Sequence, residues 1–167
     1  MAATVQINEY NTVSETKSAN ITDTDMGDTD ASDLDPVAYP VTPGNNTYEK
    51  WQKLEVTAMG GSSAIDNLKI WRTGALGGSA VHLTNARETS YGGAETFATP
   101  IKTDSTIATE TMPSTEPTDA NLGIGGDLVT ALSAAGESDY LIHQVQTDAG
   151  DVAGSTSTMN YQYDETA

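Results

Sequence analysis

Apolar residues in this chain alternate with polar ones over short stretches, and nowhere do they recur with the longer period of a helix. Residues 4–10, TVQINEY, place Val5 and Ile7 on one side and Gln6 and Asn8 on the other. Within YEKWQKLEVTAM (48–59), Leu54, Val56 and Ala58 alternate with Glu55 and Thr57. IDNLKIWR (65–72) sets Leu68 and Ile70 against Lys69 and Trp71, and Val81 and Leu83 repeat the pattern. DYLIHQVQ (139–146) sets Leu141, His143 and Val145 against Tyr140, Ile142 and Gln144. STMNYQY (157–163) sets Met159, Tyr161 and Tyr163 against Thr158, Asn160 and Gln162, with Asp164-Glu165 expected to stop it. A period of two means half-buried strands. Gly60-Gly61, Gly77-Gly78 and Gly92-Gly93 punctuate them as turns. Phe97–Lys102 reads as an edge strand because of Pro100. The single helix candidate is DLVTALSAA (127–135), with Asp127 as cap and Gly136 as stop, and its length equally suits a strand. The predicted class is all-β, an antiparallel β-sandwich or jelly roll.

The large core formers are few. Leu, Ile, Val and Phe total 27 of 167 residues, about 16%, under the roughly 20% at which a strongly charged chain is suspected of disorder. The net charge is −17. It divides unevenly, since residues 1–47 hold eight acids and one base, Lys17, residues 48–102 hold five acids and six bases, and residues 103–167 hold eleven acids and no base. Residues 1–47 are therefore read as an N-terminal strand followed by an extended acidic arm rich in Pro and Asp, and 48–167 as the β-sandwich domain. The arm's connection is well past the usual loop length of about 12–15 residues, and such segments tend to be functional or to lie on a partner.

Several functions are excluded or disfavoured. A charge of this sign repels phosphate backbones, so nucleic acid is not an expected partner. No run of about 18 apolar residues is present, so no membrane-spanning helix is expected. MAATVQINEY lacks the form of a secretory signal. Without cysteine there is no disulfide or zinc-thiolate site. The run DTDMGDTDASD (23–33) suggests calcium, but counting from Asp23 the sixth residue is Asp28 and the twelfth Leu34, where an EF-hand needs Gly and Glu. It reads as a solvated acidic loop, and Asp148 and Asp151 read likewise. Gly123-Ile124-Gly125-Gly126 lacks the rest of a dinucleotide fingerprint. Gly77-Gly78-Ser79 is no nucleophile elbow, since Val81 stands where Gly is required. His82 and His143 lie on separate strands and read as packing residues. Asn20 and Asn45 match the glycosylation pattern by chance. No catalytic residue, cofactor or metal ligand is assigned, and the expected protein is not an enzyme.

Trp51 falls on the face opposite Leu54 and Val56, and Trp71 on the face opposite Leu68 and Ile70. Large aromatics away from a core face are enriched at interfaces, although both faces could be covered within one chain. Val5, Ile7, Tyr10, Tyr39, Trp51 and Trp71 are the candidate interface residues.

Three stretches, ATVQINEYN, NNTYEKWQKLEVTAMGGSSAIDNLKIWRTG and SDYLIHQVQTDAGDVAGSTSTMNYQYDE, together resemble the accessory head proteins of tailed bacteriophages, the capsid decoration or cement proteins. The resemblance covers about half of the chain. It implies a β-sandwich bound to the outer surface of the virion, partnered with the major capsid protein and commonly a homotrimer at local three-fold axes. It carries over no residue-level site. The alternatives are a phage fibre, neck or tail protein that binds a host surface, or a calcium- or carbohydrate-binding β-sandwich module. The acidity, with few Lys and much Thr and Ala, also suits adaptation to high salt.

Overall fold

In the computed structural model the described residues are 1–12, 14–91, 110–152 and 154–167. Nine strands form among them: β1 (Thr4–Asn11), β2 (Thr16–Ser18), β3 (Lys50–Ala58), β4 (Ala64–Thr73), β5 (Val81–Glu88), β6 (Glu110–Thr111), β7 (Gly136–Glu137), β8 (Tyr140–Gln146) and β9 (Thr158–Thr166). The larger sheet runs β2-β1-β3-β8-β5-β6, with β7 also on β3, and β4 and β9 form a second sheet. Every pairing is antiparallel. The chain is all-β, as its alternation predicts.

The two sheets share one hydrophobic cluster. Leu54, Val56, Ala86 and Leu141 from the larger sheet meet Ile65, Leu68 and Ile70 from β4, with Met112, Leu122 and Ile124 closing the periphery. Val5 and Ile7 pack against this cluster while half-buried. They do so because the register sets Val5 opposite Val56 and Ile7 opposite Leu54. Residues at hydrogen-bonded register positions share a face, so this face continues from apolar Leu54 and Val56 into Gln52 and Lys50. It continues likewise from Ile7 into Glu9 and Asn11. One end of the inward face is thus apolar and the other polar.

Three expectations change. Residues 127–135 form no helix. Gly125 and Gly126 take φ of 63° and 87°, Val129 is 87% exposed, and Leu132 alone docks, exchanging backbone hydrogen bonds with Ile65 at 2.9 Å in both directions. A bridge to β4 satisfies backbone groups that a short helix would have left to its ends. The last strand does not stop at Asp164-Glu165 but runs to Thr166, because Asn67 donates to Asp164 at 2.8 Å and Ser62 donates to Glu165. The segment read as an extended arm contributes β2, which extends the sheet beyond β1, so that β1 itself lies between β2 and β3. The strand expected over Phe97–Lys102 lies outside the described residues.

Candidate partner-binding cleft

The polar end of the inward face opens into a cleft of ≈ 710 Å³. Its floor is Gln52 from β3, His82 from β5 and His143 and Val145 from β8. One wall is the segment from Ile21 to Met26 with Pro36, Pro40 and Pro43, and the other is the consecutive run from Gly154 to Met159 with Tyr161. The volume falls in the range of ligand-sized pockets.

Each wall is fixed by identifiable bonds. Tyr161 Oη donates to Gln52 Oε1, and Gln52 Nε2 donates to Thr24 Oγ1. Thr24 Oγ1 donates to Glu9 Oε2 at 3.0 Å. A relay of hydrogen bonds therefore ties β9, β3, the acidic segment and β1 together beneath the cleft. At the mouth, Asp151 accepts from the backbone amides of Ser79 at 2.6 Å and Asp148 at 2.8 Å. Gly78 makes that approach possible: its φ is 63°, and a Cβ there would lie 1.9 Å from Asp151 Oδ1.

The histidines on the floor are a pair. His82 Nε2 lies 2.9 Å from His143 Nδ1. The register opposes His82 to Val145 and Thr84 to His143, so the two rings are diagonal neighbours on one face. Burial lowers the pKa of His82 to about 4, with Arg72 adding to the effect. Burial, His82 and Lys50 hold His143 well below the ordinary imidazole range. Both rings are neutral at neutral pH, so one donates to the other. Their outer nitrogens, His82 Nδ1 and His143 Nε2, are buried with no hydrogen-bond partner. Whichever tautomers are present, one of these atoms is an unmet donor and the other an unmet acceptor.

The charge of the cleft is one-sided. Asp23, Asp25 and Asp151 line it, and no Lys or Arg does so among the described residues. Burial and the neighbouring Asp23 raise the pKa of Asp25, as expected where carboxylates crowd together. β9, which borders the cleft, pairs with β4 alone among the described residues. Its other edge has no ladder partner among the described residues, the requirement for adding a strand from another chain. No group of three or more potential metal ligands occurs among the described residues, and no described helix is long and apolar enough to cross a membrane.

The candidate interface residues lie in three different places. Trp51 is fully buried and Tyr10 is 6% exposed. They pack with Tyr140, Ile142 and Tyr91 on the outer face of the larger sheet. Tyr10 meets Tyr140 edge-on at 5.3 Å, and Trp51 lies 5.0 Å from Tyr91 and 5.3 Å from Tyr140. Lys53 covers the Tyr140 ring at 4.1 Å and pairs with Glu137 at 3.0 Å, while Lys17 bridges Glu55 and Glu137. The face that carries Trp51 is thus closed by this chain's own side chains. Val5 and Ile7 belong to the main cluster, with Ile7 also reaching the cleft. Tyr39 is 46% exposed, and Trp71 is half-buried on β4.

The sequence reading missed the histidine pair and the polar end of the inward face. The parity of β3 held the signal. Lys50 and Gln52 are in phase with Leu54 and Val56, which places charge and amide on a core-facing row. The chain matches no protein-family model, no curated protein and no solved structure.

Proposed function

We propose that this chain is a non-enzymatic virion structural protein, a decoration protein on the outside of a phage head, that stabilises the shell by bridging capsid subunits. The cleft beside the free edge of β9 is the observation that supports this reading most. An uncharged floor, an acidic rim lined by no Lys or Arg among the described residues and a strand edge with no ladder partner among them suit an extended, basic segment of the major capsid protein. Such a segment would gain backbone hydrogen bonds from β9 and charge complementarity from Asp23, Asp25 and Asp151. The sequence resemblance to accessory head proteins points the same way. An exterior position suits the acidity, because packaged nucleic acid lies on the other side of the shell.

The test is sedimentation of the purified chain with heads assembled from the major capsid protein of the same virus. The chain is expected in the pellet at a fixed stoichiometry, with retention weakening as salt rises. Asp23→Lys, an exposed charge reversal at the rim, is expected to lower retention about tenfold, the equivalent of roughly 1.4 kcal/mol, with the melting temperature unchanged. A chain that remains in the supernatant at low salt refutes the reading.

A further inference from the structure

Beneath the cleft three side chains of unlike chemistry are withdrawn from water together. Glu9 and Asn11 are two apart on β1 and share a face. Lys50 opens β3 on the same face, one step beyond the Tyr10–Trp51 register pair. Lys50 is 1% exposed and Glu9 and Asn11 are each 2% exposed. Lys50 Nζ lies 3.2 Å from Glu9 Oε1 and 3.5 Å from Asn11 Oδ1, and it also donates to the Ala31 carbonyl. Asn11 Nδ2 donates to that same Glu9 Oε1 at 3.0 Å. One carboxylate oxygen therefore faces both an amine and the leaving group of an amide. The second oxygen is held by Thr24.

As a permanent ion pair this arrangement is costly, because the attraction of two buried charges rarely exceeds the loss of their hydration. As a reactive arrangement it holds a nucleophile, a carboxamide and a proton carrier at contact distance in a dry site. Such fixed proximity replaces a large part of an activation barrier.

We propose that Lys50 and Asn11 join in an intramolecular isopeptide bond between β3 and β1, with Glu9 as the proton carrier. The Lys50 ammonium gives a proton to Glu9. The free amine then attacks Asn11 Cγ, so that the Nζ–Cγ bond forms. Protons pass from Nζ through Glu9 to Nδ2, the Cγ–Nδ2 bond breaks, and the nitrogen leaves as ammonium. Glu9 returns to carboxylate and the positive charge departs with the leaving group, so no oxidant, reductant or co-reactant is needed. The product covalently closes the segment between β1 and β3 and leaves the Glu9 carboxylate accepting from Thr24. This inference does not depend on what the cleft binds.

Intact-mass measurement of the folded full chain tests it. The chain is expected to be lighter than its sequence by one ammonia. Trypsin is expected to spare the bond after Lys50, leaving the peptide that ends at Lys17 joined to the peptide that ends at Lys53. Glu9→Gln is expected to keep its full sequence mass. Should that variant fail to fold, the wild-type mass and peptide map decide alone. A folded wild-type chain that keeps its full mass after prolonged warming overturns the proposal. So does an ammonia deficit that maps to a cyclised asparagine rather than to the branched peptide.

Discussion

The His82–His143 pair gives the molecule a sensitivity to acid that its surface carboxylates would not predict. An imidazole held at about 4 in the folded chain, against an ordinary value of 6.5, is protonated first in the unfolded chain. Its contribution is therefore fully present above about pH 6.5 and is lost progressively as pH falls toward 4. For His82 the loss is on the order of 3 kcal/mol by pH 4, and the still more deeply buried His143 acts in the same direction. Arg72 and Lys50 strengthen the effect by opposing a positive charge on either ring. Melting temperature is expected to fall steadily from about pH 7 to about pH 4, and the slope should flatten in His82→Gln. Equal slopes in the two proteins would refute this account. The pair also marks a limit of sequence reading. Each histidine was visible as a strand residue, but their meeting depends on the β5–β8 register, and no local spacing encodes that.

Among the elements, β1 shows most clearly what alternation can and cannot reveal. Its existence and the shared side of Val5 and Ile7 were legible, because a period of two needs only a few residues to declare itself, whereas both were read as interface candidates and the structure packs them against the main cluster. Its neighbours were not, since β1 pairs with β3 across the long Pro- and Asp-rich connection and partner choice is a non-local matter. The same holds for residues 127–135, where Ala and Leu favour helix locally and the bridge from Leu132 to Ile65 overrides them. The division of charge read residues 1–47 as an N-terminal strand and an acidic arm beside a separate β-sandwich domain. The topology puts two strands of the larger sheet there, along with Tyr10 of the aromatic cluster and Glu9, which binds Lys50. A truncation that starts at Tyr48 would bare the whole β3 edge and leave the Lys50 ammonium buried without its carboxylate. It is expected to aggregate or to lose cooperative melting, as judged by light scattering and circular dichroism. A soluble, cooperatively melting product would show that β1 contributes little.

At the scale of the whole molecule the charge of −17 is only slightly compensated. Lys17, Lys50, Lys53 and Lys69 already sit against carboxylates. The remaining acids therefore repel one another across water with little to offset them, and salt shortens the reach of that repulsion from about 30 Å at 0.01 M to about 3 Å at 1 M. The melting temperature is expected to rise by several degrees between these conditions, and a flat or falling curve would contradict it. The scarcity of large apolar residues, which by itself suggests disorder, is met in the fold by concentration. Among the described residues sixteen apolar side chains are buried, and fourteen of them are drawn into one shared cluster and one aromatic cluster instead of being spread along every strand.

The pairing of β4 with β9 also dictates an order of events during synthesis. Ser62, at the entry to β4, hydrogen-bonds to Glu165, 103 residues later in the chain. While a ribosome makes the intervening stretch, β4 has no β-ladder partner, and Ile65, Leu68 and Ile70 remain without the strand that shelters them in the finished sheet. Closing so long a loop comes before any reward from the contacts it makes, which places such topologies among the slower folders. The nascent chain therefore passes through a long interval in which the apolar face of β4 is open to pairing with its neighbours on the same message.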